Sequence, residues 1–122
     1  IDVFVELIQT DAGTRCAGVC AAALALADAG IPMKDLVASV AVGLVNGGVV
    51  ADLTKEEEDL DGAVDIALAV LPRTGDVSLL QMDGTMDKED LFKAIDLGKK
   101  VVKKIVDVQK HALKESYHDK NH

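Results

Sequence analysis

Aromatic side chains are almost absent from this 122-residue chain, with two Phe, one Tyr and no Trp. A core without large rings must be built from Val, Leu, Ile and Ala. The same scarcity removes the platforms on which single-stranded bases commonly stack. Basic residues are outnumbered too, 13 Lys and Arg against 21 Asp and Glu, for a net charge of −8 at pH 7. As a whole the chain repels a phosphate backbone, so any anion site has to be local. Proline is rare, at 2 residues, and glycine stands at 10. With 49% hydrophobic and 28% charged residues, that excludes collagen, a low-complexity linker and a disordered tail. No run approaches the ~18 apolar residues of a membrane span; the apolar stretch 19–29 is short and contains Asp28. The opening residues Ile1, Asp2, Val3 and Phe4 lack the basic start of a signal peptide. They open without Met in a strand-like run, as expected of a chain that begins inside a longer one. The two cysteines, Cys16 and Cys20, stand four apart on a helical pattern, which suits a disulfide poorly. Two thiols cannot complete a zinc site, and the three His lie at the far end. Both cysteines read as small buried thiols in a reducing compartment, which points to the cytoplasm.

What is present reads as one domain over residues 1–122, a size typical of single domains. Val3, Phe4, Val5, Leu7 and Ile8, with polar residues interspersed, predict a strand over 1–10. A small-residue helix follows from Gly13, Thr14 and Arg15 to about Ala29, with Gly30 as its stop and Pro32 barring continuation. Apolar runs at 37–44 and 49–53 flank Asn46, Gly47 and Gly48, the strongest short hairpin signal. A second strand pair, 64–71 and 77–82, is joined through Pro72 to Asp76. A long helix is expected over 88–116, capped by Asp87 with Asp90 at its positive end, and a frayed tail over 118–122. The order predicts an α+β fold: a largely antiparallel sheet of about five strands with two helices packed on one face.

Two places bear chemistry. At Gly13, Thr14 and Arg15 a strand gives way to a helix, whose unpaired first N–H groups favour an anion. Gly13 permits close approach, Thr14 adds a hydroxyl, and Arg15 adds a planar cation matched to phosphate. The same residues also suit an ordinary capped helix start with a solvated Arg15. Asp59 and Asp65 bracket a loop containing Gly62, and Asp65 heads an apolar strand, where a carboxylate needs a partner. Paired carboxylates hold Mg²⁺ or divide acid and base duty; the alternative is a solvated acidic loop, which suits Glu56 and Glu57. Phosphate and carboxylates together would need a divalent cation or a protonated Asp.

The run Asp11, Ala12, Gly13, Thr14, Arg15, the run from Ala25 through Gly30 to Met33, Asp59 and Asp65 around Gly62, and Leu79 through Met82 to Gly84 resemble the RNase PH family, in its exosome branch. The likeness covers nearly the whole chain and answers to the C-terminal half of a family member. It implies that an N-terminal half carries a second sheet and RNA-binding arginines. It further implies phosphorolysis, in which inorganic phosphate removes nucleoside diphosphates from a single-stranded RNA 3′ end. By resemblance, Gly13, Thr14 and Arg15 bind phosphate and Asp59 and Asp65 are the catalytic acids. Asp59 is the expected general acid, and both Asp are candidate ligands of Mg²⁺. The implied partners are a paralogous inactive subunit completing a hexameric ring, and RNA-binding cap subunits. One departure is Ala63, Val64, Asp65, Ile66, Ala67, where the family often has Glu-Ala-Asp-Val-Pro. The alternatives are a non-catalytic ring subunit, a stand-alone enzyme trimming tRNA ends, and a phosphate-binding module for small molecules. Lys99, Lys100, Lys103 and Lys104 read as a solvated helix face, with RNA or subunit contact as the other reading. His111, His118 and His122 read as surface residues.

Overall fold

The computed structural model describes residues 1–121; His122 lies outside them. The first element is helix α1, Thr14–Asp28. Strands β1, Ala38–Val45, and β2, Gly48–Ala51, form the first hairpin. Its turn has φ of 51° at Asn46 and 80° at Gly47, the pair of positive values that a type I′ turn demands. A four-residue helix α2, Lys55–Glu58, follows. The second hairpin joins β3, Val64–Leu71, to β4, Asp76–Asp83. Helix α3 spans Lys88–Lys120. All pairings are antiparallel, and the sheet order is β2-β1-β3-β4.

The sheet has four strands where five were expected, because residues 1–10 form none. Their alternation suits pairing, but a strand exists only where a neighbour supplies N–H and C=O groups. These residues join neither sheet edge. Ile1, Phe4 and Ile8 are left almost fully exposed.

Side-chain alternation decides where the helices sit. Val40, Val42, Val64, Ile66 and Leu68 share one face and are buried with Ala94, Val102 and Val106 of α3. Ala41 and Ala67 point the other way and meet Cys16 of α1. The two helices are therefore not stacked side by side on one face. Helix α1 begins over the Ala41 face and reaches α3 across the free edge of β1. The reason is the shortness of β2, which pairs only with residues 42–45 of β1. Ser39 is left beyond it, and the Cys20 thiol takes the vacant place. Ser39 N–H donates to Cys20 Sγ at 3.2 Å, and Sγ donates to Ser39 C=O at 3.3 Å. Gln109 of α3 then joins the layers, its Nε2 donating to the carbonyls of Cys20 at 3.1 Å and Val37 at 3.4 Å. Both cysteines are free thiols, and burial foremost pushes the Cys16 thiol up.

Helix α1 ends in a Schellman arrangement. Gly30 lies at φ 79°, its N–H bonds the carbonyl of Ala27, and that of Ile31 bonds Leu26. Helix α3 does not fray after 116 as expected. Lys120 Nζ bonds both Asp28 oxygens, at 3.0 and 3.1 Å, and Ser116 Oγ bonds Asp28 at 3.2 Å. Asp87 stands at the N-cap of α3 as expected, without a side-chain cap bond.

Helix α3 lies close to the sheet at Gly98. A Cβ there would run into Leu68 Cδ2 and stand 3.3 Å from Val42 Cγ1. Gly98→Ala should destabilise the protein by about 1 kcal/mol, because making Leu68 leave its rotamer costs ~1–3 kcal/mol and the helix recovers about 1 kcal/mol of it. Urea denaturation of the variant measures this; unchanged stability would mean that α3 sits further from Leu68.

Candidate anion and acid site

The site begins with two successive left-handed residues, Ala12 at φ 53° and Gly13 at φ 60°. They swing the chain into α1 with Gly13 at the N-cap. No side chain caps this helix and no acidic residue occupies its first turn, so the N–H groups of that turn are left for another acceptor. The first intrahelical bond runs from Ala17 N–H to Gly13 C=O. Gly13 lies against the floor of the site: a Cβ on it would stand 3.9 Å from Ala41 Cβ.

A non-local bond brings the second half of the site to the first. Asp11 Oδ1 accepts the N–H of Lys55 at 3.0 Å across 44 residues of sequence. That bond places the start of α2 beside the start of α1. Helix α2 is set in phase by a capping box, with Thr54 Oγ1 accepting from Glu57 N–H and Glu57 Oε1 accepting from Thr54 N–H. Glu57 is thereby spent on structure. Glu58 turns inward and Asp59 stays at the rim.

The result is an open cleft of about 420 Å³. Gly13, Thr14 and Arg15 form one wall, Lys55 and Glu58 another, and Asp65 closes it over the small residues Ala41 and Ala67. Asp65 sits near the start of β3, opposite Gly43 on one side and Asp83 on the other. Its carboxyl is pushed above the ordinary value of 3.8, first by burial, then by the charge of Glu58 and hydrogen bonding to it, and least by Asp83. A proton is retained there more readily than on a free carboxylate.

Of the residues singled out from the sequence, Gly13, Thr14, Arg15 and Asp65 line one cleft; Asp59 does not. Asp59 is exposed and ion-paired with Lys55 Nζ at 2.9 Å, while Glu58 stands 3.7 Å from the same ammonium. Those two carboxylates hold Lys55 charged, Asp59 being the stronger influence. Lys55 and Glu58 were missed, although the pattern Thr54-x-x-Glu57 fixes the helical phase that turns them toward the site.

The residues 35–101 match the model of the 3′ exoribonuclease family, domain 2. The chain is 52% identical over 117 residues to the exosome complex component Rrp41 of Thermococcus kodakarensis, covering 96% of this chain and 47% of that protein. Rrp41 of Thermoplasma acidophilum is 47% identical over the same shares. The chain thus spans about half the length of the curated relatives it matches. Among solved structures, rice Rrp46 superposes with a TM-score of 0.80 at 27% identity, over 88% of this chain and 51% of that one. An Archaeoglobus fulgidus exosome with RNA bound to its active site gives 0.59 at 17% identity, over 82% and 44%, a likeness of fold. By the matched region, by its relatives and by its fold, the chain belongs to the 3′ exoribonuclease family of RNase PH type and carries that family's second domain.

Proposed function

We propose that this chain is the catalytic half of a phosphorolytic 3′→5′ exoribonuclease, a single C-terminal domain over residues 1–122. The observation that carries the reading is the meeting of Arg15 and its helix start with Asp65 in one cleft. Phosphorolysis needs that juxtaposition. An oxygen of inorganic phosphate bonds to the phosphorus of the last phosphodiester, and the bond to the 3′ oxygen of the preceding nucleotide breaks. A nucleoside diphosphate leaves, and the 3′ oxygen takes up a proton. The N–H groups at the start of α1, Thr14 and the Arg15 guanidinium hold the attacking phosphate. Lys55, on the facing wall, offsets its charge. Asp65, whose carboxyl is raised above the ordinary value chiefly by burial, faces them and is placed to give a proton to the 3′ oxygen. Asp59, expected as the acid, does not line the cleft and is held by Lys55 Nζ at 2.9 Å, and we assign it to the rim.

Mg²⁺ remains part of the proposal. Among the described residues no three His, Cys, Asp or Glu side chains converge on one point, and Asp59 is engaged by Lys55. Mg²⁺ is commonly held by one or two carboxylates with substrate phosphates and water, so we place it with the phosphates.

The relatives are named as exosome components. We accordingly place the complete protein in a hexameric ring with a paralogous inactive subunit and RNA-binding caps, in the cytoplasm. No helix among the described residues is long and apolar enough to cross a membrane.

The test is phosphate-dependent release of nucleoside diphosphates from single-stranded RNA by the complete, assembled protein. Arg15→Ala should raise the phosphate requirement roughly 10- to 100-fold, since a hydrogen bond to a charged group contributes about 1.5–3 kcal/mol. An unchanged phosphate dependence would remove Arg15 from the site. Absence of any phosphate-dependent release by the unaltered protein would return the chain to a non-catalytic ring role.

A further inference from the structure

A groove runs between α3 and the turn that joins β3 to β4. It consists of two adjoining clefts of about 310 and 190 Å³, which share Pro72, Arg73 and Lys103. Lys99, Lys103, Asp107 and Lys110 line it at helical spacing, as one strip of α3 turned toward that turn. Lys99 Nζ lies 4.0 Å from where a Cβ on Gly75 would stand, directly over the turn. Four cations thus face one carboxylate, on a chain with a net charge of −8.

The three lysines are not paired within the fold: Lys99, Lys103 and Lys110 take part in none of the ion pairs among the described residues. Arg73 Nε stands 3.7 Å from the buried Asp35, but its side chain is 77% exposed and keeps donors open to the groove. Asp76, across the turn, is hydrogen-bonded to Thr74. Lys99 and Lys103 are one helical turn apart and repel each other. Asp107, one turn from both Lys103 and Lys110, offsets only part of this positive charge.

We infer that this groove binds the phosphodiester backbone of single-stranded RNA, at a place separate from the Asp65 cleft. The inference rests on the reading of the complete protein as an RNA-degrading enzyme. Spaced ammonium groups and a guanidinium suit a chain of repeated phosphates. The groove has no aromatic lining and no deep apolar socket of the kind that anchors a protein partner. Contact is therefore with the backbone and indifferent to sequence. The groove lies at the opposite end of β3 from Asp65. Leu71 is six residues further along the strand, about 20 Å at ~3.3 Å per residue. Only an RNA long enough to span that distance gains from both places.

The experiment uses the complete, assembled protein and measures binding of long and short single-stranded RNA across a salt series. For Lys99→Gln with Lys103→Gln, the slope of log affinity against log salt for long RNA should fall by about 1.4, from ~0.7 for each lost phosphate contact. Phosphorolysis of an oligonucleotide too short to reach the groove should be unchanged. Lys100→Gln with Lys104→Gln removes the same charge from positions that line neither cleft and should leave the slope as it was. An unaltered slope in the groove variant, or an equal fall in both variants, overturns the inference. So does a groove variant that keeps its RNA slope but loses binding of an acidic peptide, which would make this a protein-docking surface. If the unaltered protein releases no nucleoside diphosphate while the groove variant still loses its slope, the groove stands and the catalytic reading falls.

Discussion

Asp65→Asn should lose roughly 10²–10⁴-fold in phosphorolysis, the range that general acid catalysis typically supplies, while gaining stability at neutral pH. The two effects have one origin. Asp65 is half-buried beside Glu58 and across the ladder from Asp83, and each of these disfavours its ionised form. Its carboxyl is consequently raised above 3.8 in the folded protein. The native state binds the Asp65 proton more tightly than the unfolded chain does. Stability therefore falls as pH rises from about 4 through the folded value, and the cost is present in full at neutral pH. An amide carries no charge at any pH, so the variant should lack that fall, and it still donates a hydrogen bond to Glu58. The same amide has no proton to give to a leaving oxygen. Urea denaturation at pH 4 and pH 7, with turnover at both, measures the two together. Near-normal turnover in the Asp65→Asn variant would remove Asp65 as the acid. A variant less stable than its parent at pH 7 would contradict the electrostatics. Asp59→Asn is the contrast: an exposed carboxylate paired with Lys55 should contribute much less than Asp65. A larger loss at Asp59 would move the acid to the rim.

What was legible in the sequence was local. Asn46 and Gly47 announce a turn whose φ angles only such residues adopt cheaply, and the hairpins fall where expected. Gly30 stops α1 for the same kind of reason. Residues 1–10 were misread because alternation records a capacity to pair, and the partner is a property of the tertiary fold. The last turns of α3 were misread because Asp28, which pins Lys120, is 92 residues away. The short reach of β2, which sends α1 across the edge of the sheet, leaves no mark in the sequence of α1 itself. The site divides along the same line. Glycine, hydroxyl and guanidinium at a helix start could be read directly. Lys55 and Glu58 sat inside a run that reads as solvated acid, yet the capping box at Thr54 and Glu57 already set their direction. Neither pattern could show that Asp11 would tie α2 to α1.

Gly43→Ala should be among the most damaging single-methyl changes in the chain. Gly43 is paired with Asp65 in the β1–β3 ladder, and a Cβ on it would overlap the backbone carbonyl of Val64. The comparison with Gly98 decides the magnitude. There the obstacle is the end of a leucine side chain, which can change rotamer. Here it is a peptide oxygen held on both sides by ladder pairs, and relief requires β1 and β3 to part. Overpacking typically costs about 1–3 kcal/mol and sometimes more; Gly43 belongs at or above the upper end, and Gly98→Ala below it. The damage should also reach the cleft. Parting the strands at this pair moves Asp65 away from Arg15, and a displacement near 1 Å at a reacting group costs on the order of 10²-fold in rate. Gly43→Ala should thus lower turnover even at temperatures where the protein stays folded, whereas Gly98→Ala, on the opposite face, should lose stability and keep its turnover. Thermal unfolding and phosphorolysis measured side by side for the two variants test this. A Gly43→Ala protein of normal stability and activity would show that the strands do not meet as closely at Gly43 as the pairing with Asp65 requires.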